Sequence, residues 1–111
     1  MSPMRYDILN VSAPAHRVEH LLKAALGATD EPNKFGSKSH LKTPDGGRIR
    51  VSASFTDGSK STVSLHSDFD NAEHNAWAVK VFNTTCAATD ADVDLFDEAD
   101  SVVKSRHRNA A

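Results

Sequence analysis

Arg48-Ile49-Arg50-Val51-Ser52-Ala53-Ser54-Phe55 alternates polar and apolar side chains without a break. A period of two is the signature of a strand with one buried and one wet face. Pro44-Asp45-Gly46-Gly47 precedes it and Asp57-Gly58 follows it, and both are turn sequences of the hairpin kind. Beyond the second turn, Val63 and Leu65 alternate with Thr62, Ser64 and His66. A weaker strand over about 38–43 is expected to pair with 48–55 across the first turn. The centre of the chain therefore reads as an antiparallel meander.

Working outward, Tyr6-Asp7-Ile8-Leu9-Asn10-Val11 reads as a first short strand. Ser12 offers an N-cap and Pro14 suits a first helical turn. Val18, Leu21, Leu22, Ala25 and Leu26 then recur at helical spacing until Gly27, which predicts a helix over 13–26. Residues 28–37 read as a loop. In the segment 70–88, Trp77, Val79 and Val81 alternate, but Asp70 and Glu73 form a capping pair. Trp77, Ala78, Val81, Phe82 and Thr85 also share one helical arc, so helix is preferred. A further helix is expected from Thr89-Asp90 to about Lys104. Leu95, Phe96, Ala99, Val102 and Val103 would lie on its apolar side, opposite Asp90, Asp94, Asp97 and Glu98. Residues 105–111 read as a frayed tail.

The expected order is β-α-β-β-β-α-α. The fold class that follows is α+β, a two-layer sandwich. Its sheet has three to four mostly antiparallel strands, with the helices packed on one face. The expected core holds Ile8, Leu9, Val11, Val18, Leu21, Leu22, Leu26, Ile49, Val51, Phe55, Val63, Leu65, Trp77, Val81, Phe82, Phe96 and Val103.

The 111 residues suit a single domain spanning 1–111. A net charge of −2 argues against a general nucleic-acid coat. No apolar run is long enough to span a bilayer, and no secretory h-region follows Met1. The lone cysteine, Cys86, excludes an internal disulfide and a Cys-built zinc site. A cytoplasmic location without membrane contact is the expectation. Charge is nonetheless unevenly placed. Residues 1–60 carry nine Lys/Arg against six Asp/Glu, while residues 61–111 carry four against nine.

His16-Arg17-Val18-Glu19-His20 matches the inverted zinc-peptidase pattern H-x-x-E-H over five residues. On a helix whose buried face centres on Val18, His16 and His20 point into solvent. Two exposed histidines are expected there, with a weak metal site as the alternative. Asp90-Ala91-Asp92-Val93-Asp94 opens like a calcium loop, but Leu95 and Ser101 stand where glycine and glutamate are required. Ser39 and Lys42 match S-x-x-K without its companion motifs. Cys86 has no adjacent cation and reads as an inert thiol, and His74 as a half-buried structural histidine.

Two charged surfaces remain as candidate partner-binding sites. One is acidic: Asp90, Asp94, Asp97 and Glu98. The other is basic: Lys42, Arg48 and Arg50, within a stretch 34–60 that also holds Lys34, Lys38 and Lys60. The wet positions of that hairpin carry no aromatic for base stacking. The expected function is therefore a small non-enzymatic binding or regulatory protein acting through protein–protein contacts, with no cofactor. Chains of this size are common among phage and mobile-element accessory factors that modulate a host protein. The alternatives are nucleic-acid binding through the basic hairpin and a small metal-dependent hydrolase using His16, Glu19 and His20. Weak homo-oligomerisation is a further expectation.

Overall fold

A computed structural model describes residues 5–31, 40–53, 58–99 and 101–107. The chain runs β1 (Arg5–Val11), α1 (Ala15–Leu26), β2 (Thr29–Glu31), β3 (His40–Lys42), β4 (Arg48–Ala53), β5 (Ser61–Ser67), α2 (Asn71–Ala88), β6 (Val93–Phe96) and β7 (Val102–Arg106). The strands form one antiparallel sheet in the order β2-β3-β4-β5-β1-β6-β7. Both helices pack on the same face of it. The α+β class and the one-sided helical layer hold. The sheet, however, has seven strands rather than three or four.

The largest correction lies at 90–104, which is two strands and not a helix. Val93 and Leu95 are fully buried while Asp94 and Phe96 are not, the alternation of a strand. Asp97 is the reason the chain turns there. Its Oδ1 accepts the amides of Ala99 and Ser101, at 2.9 and 3.0 Å. The Asp97 amide in turn donates to the Ser101 carbonyl. An aspartate that bonds its own downstream backbone favours a turn over a helix. β1 supplies the other incentive, because its edge away from β5 is closed by β6.

Smaller corrections follow. The loop at 28–37 contains β2, and Pro14 rather than Ser12 occupies the N-cap of α1. The expected frayed tail is ordered through Arg106 in β7. The Arg106 guanidinium donates to the carbonyls of Cys86, Thr89 and Ala91, at 3.0, 2.6 and 2.6 Å. It thereby caps the end of α2, where carbonyls lack helical partners. Phe55, Lys34, Lys38 and Ser39 lie outside the described residues.

Helix α2 begins as its sequence indicates, with Asp70 Oδ1 accepting the Glu73 amide at 2.8 Å. Helix α1 ends on Gly27, whose φ of 68° is the left-handed conformation glycine tolerates. Between helices and sheet lies one core. Val18 and Leu22 of α1 and Trp77, Ala78, Val81 and Phe82 of α2 meet Leu9, Val11, Leu41, Ile49, Val63, Leu65, Val93 and Leu95 of the sheet. Leu21, Leu26 and Val51 are partly buried and pack against this core, whereas Ile8 and Phe96, partly buried, and Val103, 46% exposed, stand outside the core expected for them.

Candidate functional site

The face of the sheet turned away from the helices carries the charged residues of interest. Three rows run across it in register. Lys42, Arg48, His66 and Tyr6 form the first, on β3, β4, β5 and β1. Arg50, Ser64, Ile8, Phe96 and Val102 form the second, and Ser52, Thr62, Asn10, Asp94 and Ser105 the third. With strands about 4.8 Å apart, each row is on the order of 15–20 Å long. The rows arise from period-two alternation, because Leu41, Ile49, Leu65 and Leu9 take the opposite, buried face.

Lys42, Arg48 and Arg50 are exposed and lie side by side on this face. Neither Arg48 nor Arg50 is held in an ion pair among the described residues. Together with His40, Ile49 and His66 they line a shallow hollow of about 220 Å³. Burial, with Arg50, His74 and His40 nearby, pushes the His66 imidazole below its ordinary value of 6.5. The uncharged form of His66 is thereby favoured, and its ring lies 6.0 Å from that of Tyr6.

The wet face does contain aromatics, brought by strands outside the hairpin whose own wet positions have none. Tyr6 is 40% exposed and Phe96 is half-buried. Neither belongs to the central hairpin, and only long-range pairing of β1 and β6 brings them beside it. With Ile8 and Val102 they form an apolar strip that runs from β1 across β6 to the sheet edge at β7.

The acidic candidates do not share a helix face. Asp90 lies in the loop after α2. Asp94 is on the open face, 2.7 Å from His107 Nε2. Asp97 is committed to its turn, and Glu98 Oε1 accepts the Tyr6 amide at 3.0 Å. Asp94 and Glu98 thus flank the apolar strip at β6, while Lys42, Arg48 and Arg50 lie beyond its β1 end, on β3 and β4. The charge imbalance of the two sequence halves becomes a polarity across one surface.

His16 and His20 are exposed on α1, as expected, and Glu19 faces Lys23 at 3.6 Å. Among the described residues no three His, Cys, Asp or Glu side chains converge as metal ligands. His20 and Arg17 do border an open groove of about 840 Å³ between α1 and the end of α2. Its lining is mostly alanine, proline and leucine. Burial pushes the Cys86 thiol up, with Arg106 and Lys104 opposing, which favours the protonated form.

One constellation escaped the sequence reading. Ser67 Oγ lies 2.5 Å from His74 Nδ1, and His74 Nε2 lies 3.3 Å from Asp7 Oδ1. The order serine, histidine, aspartate is that of a hydrolase triad. Here it is closed: His74 is 0% exposed, and Ser67 and Asp7 are 3% exposed. No substrate can reach an oxygen so enclosed. The second contact is close in distance but lacks hydrogen-bond alignment. The three residues come from β5, α2 and β1, so their meeting has no local signal. They tie helix to sheet rather than offering a nucleophile, and His74 is buried completely rather than by half.

Compared with protein-family models and with curated proteins, the chain matches none.

Proposed function

We propose that this protein is a non-enzymatic binding module whose open sheet face docks a partner protein. The observation that carries the reading is the face itself: Arg48 and Arg50 beside the strip Tyr6, Ile8, Phe96 and Val102. A partly apolar centre with a charged rim is the usual anatomy of a protein interface. The cations call for carboxylates opposite them, and the strip calls for apolar side chains. Nucleic-acid binding draws on the same cations and on Tyr6, but the Asp94 and Glu98 carboxylates on this face oppose a phosphate chain. The hydrolase reading has an exposed histidine pair and a closed triad as its only materials. The role of an accessory factor acting on a host protein rests on size alone.

The test is affinity capture from an extract of the source cells with two baits. The wild-type chain should retain a protein that the variant Arg48→Glu/Arg50→Glu loses. A control variant on the helical side, Arg17→Glu/Lys80→Glu, should keep it. Capture that survives the sheet reversal overturns the proposal. Capture abolished by nuclease turns it toward nucleic acid.

A further inference from the structure

The partner chemistry called for by the open face is present on the face itself. Cations lie on β3 and β4, carboxylates at β6 and the turn after it, and an apolar strip runs from β1 past those carboxylates to β7. We infer that the open sheet face pairs with the same face of a second copy, forming a two-fold symmetric dimer.

Consider a two-fold axis parallel to the strands, midway between β5 and β1. The sheet order β4-β5-β1-β6 means that it places β4 of one copy over β6 of the other, and β5 over β1. Rows are preserved by this rotation. Arg48 comes over the Glu98 region of the second copy, and His66 over its Tyr6. Arg50 comes over Phe96, a cation on an aromatic ring. Each contact occurs twice, as an isologous interface requires. The alternative axis, along the rows, would set cations against cations, so charge selects one orientation. Strands remain nearly aligned across the interface, as in stacked sheets. Burial of Tyr6 and Val102, 40% and 58% exposed in the single copy, adds an apolar contribution.

This inference rests on the docking role of the open face and names one occupant for it. Sedimentation equilibrium of the full chain at low salt should give twice the 12.0 kDa chain mass at high concentration. Added salt should weaken the association. Two reversed variants provide the decisive arm. Arg48→Glu/Arg50→Glu makes both poles acidic, and Asp94→Lys/Glu98→Lys makes both basic. Each alone should dissociate at least roughly tenfold more readily. Mixed in equal amounts they should form a heterodimer, which also shows that both are folded. A wild-type chain that stays monomeric at millimolar concentration, or variants that fail to pair when mixed, overturns the inference. Loss of the dimer with continued face-dependent capture of another protein would leave the docking role standing.

Discussion

His74→Leu is expected to destabilise the protein by about 1–3 kcal/mol, the range for leaving a buried polar group without its hydrogen-bond partner. The imidazole is wholly buried where β1, β5 and α2 meet, with Ser67 Oγ on one side and Asp7 Oδ1 on the other. Leucine fills much of the volume and supplies neither contact. The Ser67 hydroxyl then loses its hydrogen-bond partner at 2.5 Å, and the Asp7 carboxylate loses a neighbouring imidazole. The cost therefore comes from the groups left behind. It follows that His74→Leu combined with Ser67→Ala should cost less than the sum of the two single changes, since both remove the same hydrogen bond. Urea unfolding followed by circular dichroism measures both. A single-variant loss under about 1 kcal/mol would mean that the network is incidental to the fold.

A second large effect is expected at Gly47→Ala, where the added methyl would enter the space of the Trp77 indole. A Cβ at this position would lie 2.6 Å from Trp77 Cη2 and closer still to two other ring atoms. The ring has little freedom to withdraw. Phe69 meets it edge-on at 5.8 Å and His74 at the same distance. Nor can the turn easily yield. The Gly47 amide donates to Thr43 Oγ1 at 3.0 Å, and the Gly47 carbonyl accepts the Thr43 amide at 2.9 Å. Overpacking usually costs about 1–3 kcal/mol, and the upper end or more is expected here. In a Trp77→Leu background the added cost of Gly47→Ala should fall below about 1 kcal/mol, since the obstructing ring is gone. Equal costs in both backgrounds would place the strain in the turn and not against the indole.

Both sites show why part of the molecule was legible and part was not. Arg48 to Ala53 alternates under a local rule, so the strand, its buried Ile49 and its exposed arginines follow directly. At 70–88 the Asp70–Glu73 cap distinguishes helix from the competing alternation of Trp77, Val79 and Val81. At 90–104 the local rules conflict. Leu95, Phe96, Ala99, Val102 and Val103 fit a helical arc, yet Val93 and Leu95 also fit a strand. The conflict is resolved by Asp97, which closes its own turn, and by the edge of β1, some 85 residues earlier in the chain. The same long-range pairing sets Tyr6 beside His66 and Phe96 beside Ile8. Half of the candidate surface, its cations, was therefore visible in the sequence, and its aromatic half was not. Asp7, Ser67 and His74 were hidden for the same reason.

The open sheet face as a self-complementary interaction surface is tested most directly by amide NMR of the wild-type chain over a dilution series. From dilute to millimolar protein, shifts should concentrate on Tyr6, Ile8, Arg48, Arg50, Ser64 and Phe96, the residues placed within the interface. The amides of Arg17, His20 and Lys80 on the helical side should stay in place. Spectra that do not change with concentration, or shifts that gather around Arg17 and His20 instead, would contradict the account.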